Sequence, residues 1–162
     1  MLRNLEQMQL GRISAIAVRD RAVWLAGTAS VGLYAEEHFW PIITDGPSFE
    51  QVSGIVQSDD GALWLSGNDG VRHIEASEVA AFMIDHHYRP HAEVINYEDG
   101  LKGAPPSIAQ LPSAHQGSDG RVWFTTTQGA YWIDPKSIHR KIVAAACTHY
   151  IRHGGRKQAP DH

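Results

Sequence analysis

Three tryptophans recur in nearly the same local sequence, and this repeat restricts the fold more than any other feature. Trp24 lies in Val23-Trp-Leu-Ala-Gly27, Trp64 in Leu63-Trp-Leu-Ser-Gly67 and Trp123 in Val122-Trp-Phe-Thr-Thr126. Similar stretches starting at Ile13, Val52 and Pro112 precede them, and Gly32-Leu-Tyr34, Gly70-Val-Arg72 and Gly129-Ala-Tyr131 follow. The first two tryptophans are 40 residues apart and the next two 59. A period near 40 with one aromatic motif per unit is the mark of a β-propeller or a related array. The expected fold is all-β: a partial β-propeller of about three four-stranded blades over residues 1–135.

Local chemistry supports strands within each unit. Asp60-Gly61 and Asp119-Gly120 separate two apolar runs, a strong hairpin signal because both turn residues tolerate positive φ. The first unit has Asp20-Arg21 at that place, so its turn must be of another type. Gly32, Gly70 and Gly129 each precede a short returning strand. Outer strands are expected at Phe39 to Thr44 and at Glu93 to Tyr97. The tryptophans are expected to fill gaps between neighbouring sheets, with the indole N–H satisfied by a polar partner.

The longer interval holds Ser77-Glu-Val-Ala-Ala-Phe-Met-Ile-Asp85. It predicts one short helix over residues 78–84, capped by Ser77, with Val79, Phe82 and Met83 on one face. Three blades leave two sheet faces uncovered. Val23, Leu25, Leu63 and Leu65, or their opposite-face neighbours, are the residues expected there, so the chain is expected to self-associate.

Composition removes several functions. Fourteen basic against eighteen acidic side chains give a net charge of -4, which argues against a nucleic-acid partner. The single cysteine, Cys147, excludes an internal disulfide framework and a cysteine-based zinc site. No secretory signal follows Met1, and the longest apolar run, Ile142 to Cys147, is far short of a membrane span. Nucleophile elbows, phosphate-cradling glycine loops and the His-Glu-x-x-His helix are absent. The adjacent carboxylates Glu36-Glu37, Asp59-Asp60 and Glu98-Asp99 suit turns better than catalysis, because neighbours in a strand point to opposite faces. His86, His87 and His91 read as a solvated loop ending the helix, and Arg152 to Lys157 as an exposed turn and tail. Neither catalytic residues nor a cofactor or metal are therefore expected.

The run from Asp119 to Pro135, Asp-Gly-Arg-Val-Trp-Phe-Thr-Thr-Thr-Gln-Gly-Ala-Tyr-Trp-Ile-Asp-Pro, resembles blades of the two-component regulator propeller family. So does Tyr97-Glu-Asp-Gly-Leu101, and the resemblance covers about residues 10–150. Residues 136–162, with Val143-Ala-Ala-Ala-Cys-Thr-His-Tyr150, are similar to the opening of the triple-tyrosine immunoglobulin-like domain that follows such propellers; the alternative is a frayed tail. The resemblance implies a periplasmic sensor module of a hybrid histidine kinase, with a small-molecule ligand of the oligosaccharide class. It further implies partners in the remaining blades and downstream domain, and a chain that is a fragment of a longer sensor. Alternatives are a fragment of a propeller lyase or glycan-active enzyme, or a structural piece that only self-associates.

Overall fold

The computed structural model describes residues 10–103 and 112–138; residues 1–9, 104–111 and 139–162 lie outside that description. The fold is all-β, and the described residues form three antiparallel sheets in propeller-like succession. The first contains β1 (Ile13–Arg19), β2 (Ala22–Gly27), β3 (Val31–Ala35) and β4 (His38–Pro41), paired in chain order. The second contains β5 (Gly54–Gln57), β6 (Leu63–Gly67), β7 (Gly70–Ile74) and β8 (Glu93–Ile95). Helix α1 (Ala76–Ile84) is inserted between β7 and β8. The third contains β9 (Ala114–Gln116), β10 (Val122–Thr126) and β11 (Gly129–Ile133), followed by the short α2 (Pro135–Ile138).

The expected four strands per unit hold for two sheets, while the third has three among the described residues. The expected second segment, 136–162, falls outside the described residues except for its first three, which close α2.

The tryptophans occupy the same register. Trp24, Trp64 and Trp123 lie on β2, β6 and β10, opposite Ala17, Val56 and His115 on the first strand of each sheet. Antiparallel neighbours share a face, so each tryptophan marks one side of its sheet. That side packs on the next sheet. Trp24, Ala26, Val31 and Leu33 form one core with Ile55, Leu63, Leu65 and Ile74, and Trp64 forms a second with Ala114, Val122 and Phe124. The first strands lie side by side, β1 by β5 and β5 by β9, so the sheets fan out from a common edge.

The sheet order corrects one expectation. Leu63 and Leu65 are sealed inside the first interface, and Leu25 is also buried. The exposed apolar residues at the ends of the stack are instead Ile13, Ile16 and Val18 on the first sheet and Trp123 on the third.

The turns share a mechanism that differs from the expected one. Gly61 and Gly120 have φ of 94° and 83°, but Asp60 and Asp119 do not enter the left-handed region. Each loop is therefore a right-handed turn closed by a left-handed glycine, rather than a two-residue turn with both φ positive. The Gly61 N–H donates to the Ser58 carbonyl and the Gly120 N–H to that of Gly117, each at 2.9 Å. The aspartates cap these turns: Asp60 accepts from the Ala62 N–H and Asp119 from the Arg121 N–H. In the first sheet Asp20-Arg21 makes a tighter loop, with Asp20 at φ 51°.

Gly32 is not the counterpart of Gly70 and Gly129. Those two glycines end two-residue loops opposite Gly67 and Thr126, whereas Gly32 lies inside β3 opposite Leu25. Its lack of a side chain admits the Phe39 ring and the Trp40 carbonyl, where any Cβ would collide. The helix also differs in detail. Its cap is Glu75, with no side-chain bond, so Ser77 is already inside the first turn; Val79 and Phe82 are buried while Met83 is exposed.

Candidate functional site

An open groove of about 510 Å³ lies between Asn68, Asp69 and Gly70 on one side and Asn96, Tyr97, Glu98, Leu101 and Gly103 on the other. Both walls are fixed by short-range chemistry. The β6–β7 loop is held because Asp69 accepts from two nitrogens of Arg72, Nε at 3.0 Å and Nη2. Arg72 is buried, its Nη1 donates to the Pro47 carbonyl at 2.6 Å, and its guanidinium lies 4.9 Å over the Phe49 ring. A charge withdrawn from water needs such paired donors and acceptors.

The facing wall is a single 3₁₀ turn, Tyr97–Asp99, closed by a reciprocal cap. Asn96 accepts from the Glu98 N–H at 2.8 Å, and Asp99 accepts from the Asn96 N–H at 3.1 Å. Gly100, at φ 92°, ends the turn. This cap projects the Tyr97 ring into solvent at 77% exposure. Among the described residues nothing pairs with the side chains of Asn68, Tyr97 or Glu98. The groove thus offers an aromatic face, an amide that donates and accepts, and an acceptor-only carboxylate. That set suits a ligand with hydroxyl donors and a C–H face, and its carboxylates disfavour anions.

A second opening of about 260 Å³ runs along β1, β5 and β9. At its end Arg19 reaches all three sheets. It donates to the Gln57 carbonyl at 3.2 Å and to Gln116 Oε1 at 3.4 Å, and it pairs with Asp59. Gln57 and Gln116 stand in the same register, and each side-chain amide donates back into its own turn, to Gly61 and Gly120 at 3.3 Å. Gln57 also accepts from the Trp24 indole N–H at 3.0 Å, across the first interface. The available sequence signal was a glutamine seven residues before Trp64 and Trp123.

Of the repeat positions singled out from sequence, only Gly70 reaches the groove, joined there by Tyr97, Glu98 and Leu101 of the Tyr97-Glu-Asp-Gly-Leu101 stretch. Trp24 and Trp64 are buried in interfaces, Trp123 is exposed, and the Asp-Gly pairs, Gly32 and Gly129 serve turns and packing. The histidines of the helix exit do not converge. His86 stacks on Trp40 with centroids 4.5 Å apart, and His91 Nδ1 lies 3.3 Å from Asp45. Among the described residues no group of three His, Cys, Asp or Glu could hold a metal.

Sequence reasoning passed over His73, which is 2% exposed and stacks on Trp64 at 4.1 Å. Its Nδ1 has no hydrogen bond and lies 3.7 Å from the Glu93 carboxylate. Burial lowers its pKa below the ordinary value, opposed by the attraction of Glu93 and, more weakly, of Glu75 and Asp60.

No family profile matches the chain, and no curated protein does. Among solved structures, it is similar to the extracellular domain of a protein assigned as a one-component system of B. thetaiotaomicron. The TM-score is 0.60 and the identity 18%, over 78% of this chain and 18% of that one. The likeness is one of fold, and the chain spans under a fifth of that neighbour's length. Among the described residues no helix is long and apolar enough to cross a membrane.

Proposed function

We propose that the chain is a ligand-sensing module, part of a two-component regulator propeller, and that it binds a neutral polyhydroxylated ligand of the oligosaccharide class in the Asn68–Glu98 groove. The observation that carries this reading is the exposed Tyr97 ring flanked by the unengaged Asn68 amide and Glu98 carboxylate. Support also comes from the repeat motifs and from the fold likeness to the extracellular domain of a protein assigned as a one-component system. On this reading the module works in the periplasm and performs no chemistry. Its output is a shift between sheets two and three, whose junction the groove borders.

The test is saturation-transfer NMR and calorimetry against a panel of neutral and acidic oligosaccharides. Tyr97→Ala is expected to weaken binding at least tenfold, as loss of a stacking anchor commonly does. Binding by no member of the panel, or binding unchanged in both Tyr97→Ala and Asn68→Ala, would remove the groove from the account. Turnover of a bound glycan above a heat-inactivated control would replace sensing with catalysis.

A further inference from the structure

The middle sheet buries a titratable group that takes no part in lining the groove. His73 stands opposite Glu93 on β8 and opposite Trp64 on β6, with its ring stacked 4.1 Å from the indole. Among the described residues its Nδ1 has no hydrogen-bond partner, and the Glu93 carboxylate, 3.7 Å away, lies beyond bonding range. The other charges that reach the ring are Glu75 at the helix entry and Asp60 in the β5–β6 turn. Sheet three covers the Trp64 side with Ala114, Val122, Phe124 and the phenol of Tyr131. A neutral imidazole fits this place. A protonated one would be a charge held away from water without a bonded partner.

The cover over the ring is thin where β8 supplies it. β8 is the last strand of its sheet and only three residues long, with Glu93 and Val94 exposed and Ile95 half-buried. Local opening favours short elements that bury little apolar surface. β8 also carries one wall of the groove. Ile95 runs directly into Asn96 and the Tyr97–Asp99 turn, and its carbonyl lies against Gly70 of the facing wall, where a Cβ would collide with it. We propose that His73 is an acid-operated release for β8: protonation of the buried ring detaches this strand and the groove wall that follows it, while the rest of the sheet stays folded. Detachment brings the ring into water, where a histidine titrates near pH 6.5. At pH 5.5 an exposed ring is protonated about ten to one, so opening gains up to about tenfold over its neutral-pH level. Carboxylates remain mostly ionised there, so the gain belongs to the imidazole.

This inference holds whatever ligand the groove takes. It is tested by hydrogen exchange of the full chain, read by mass spectrometry at pH 7.5 and pH 5.5 and corrected for the intrinsic rate. Protection of residues 93–99 should fall about three- to tenfold in acid, whereas that of the β2–β3 hairpin should not change. In His73→Phe, which keeps a flat ring on Trp64 and takes no proton, the fall should vanish. The wild-type His73 ring resonance, followed by NMR over the same range, should titrate in step with the loss of protection. Unchanged protection of residues 93–99, an equal fall in His73→Phe, or an equal fall across the β2–β3 hairpin would each overturn the proposal. So would a ring that stays neutral while β8 opens, a reading that needs no variant and stands even if His73→Phe fails to fold.

Discussion

Replacing each repeat tryptophan by alanine should separate the three positions by the presence or absence of a covering sheet. A buried tryptophan removes about 200 Å² from water. At about 25 cal/mol/Å² that amounts to ~5 kcal/mol, reduced to about 4 kcal/mol by residual burial in the unfolded chain. Trp24 and Trp64 are 0% exposed, so both truncations should cost about 4 kcal/mol, within the usual range for large core residues. Trp123 retains roughly two-thirds of that burial and leaves no closed cavity, because water can enter the vacated space. Its cost should be about 2 kcal/mol. The assay is urea unfolding followed by circular dichroism, at protein concentrations over which the midpoint does not change. Trp24→Phe adds an intermediate case, since it keeps one aromatic ring but loses the indole bond to Gln57 and part of the buried volume, and should cost about 2 kcal/mol. A Trp123→Ala cost equal to or above that of Trp64→Ala would refute the one-directional stacking of the sheets.

Three further outcomes follow from individual contacts. Gly70→Ala should cost at least about 2 kcal/mol, because the new Cβ overlaps the Ile95 carbonyl; Gly129→Ala, which meets open space, should cost about 1 kcal/mol from backbone strain alone. Thermal melts of the two variants check this, and equal losses would count against the close β7–β8 approach. Arg72→Ala should lower stability by about 3 kcal/mol in urea titration, since it removes the cation that braces Asp69, the Pro47 carbonyl and the Phe49 ring; a loss under 1 kcal/mol would show the β6–β7 loop to be held otherwise. His73 has a folded pKa below its unfolded value of about 6.5, so the unfolded state binds more protons between the two values. Stability should therefore fall as pH drops below about 6.5, level off once pH passes the folded pKa, and lose that slope in His73→Phe; melting temperatures from pH 8 to pH 5 measure it.

Much of this architecture was readable from spacing, and the misreadings have local causes. The tryptophan register was legible because a bulky residue between sheets must recur at the same strand position. The helix was legible from its apolar spacing, but not its cap: Ser77 is a preferred capping residue, yet the helix enters at Glu75 without any side-chain bond. Gly32 misled because the first repeat has Ser30 where the others have a glycine, so a glycine two residues on was read into the wrong place. Leu63 and Leu65 were assigned to an open face because alternation tells which residues share a side, not which neighbour covers it. The groove was half hidden: the Tyr97-Glu-Asp-Gly-Leu101 stretch stood out, but not the wall that faces it. Asn68 and Tyr97 are ordinary loop residues 29 positions apart, and only the β7–α1–β8 excursion brings them together.

Arg19 has a kinetic consequence. Its bond to Gln116 spans 97 residues, whereas the hairpins that build each sheet close within a few tens of residues. Local pairings form early and distant ones late, because chain closure must precede the contact that rewards it. The guanidinium therefore engages all three sheets only after each has formed and docked, and it acts as a latch on the finished stack. Arg19→Ala should leave the folding rate nearly unchanged and accelerate unfolding about fivefold, the share of roughly 1 kcal/mol that a late contact contributes. Stopped-flow measurements in urea would read this directly, and a slowed folding limb would place the latch early instead. One side chain at the narrow edge would then lengthen the life of the assembled fold about fivefold, beyond what the buried interfaces supply.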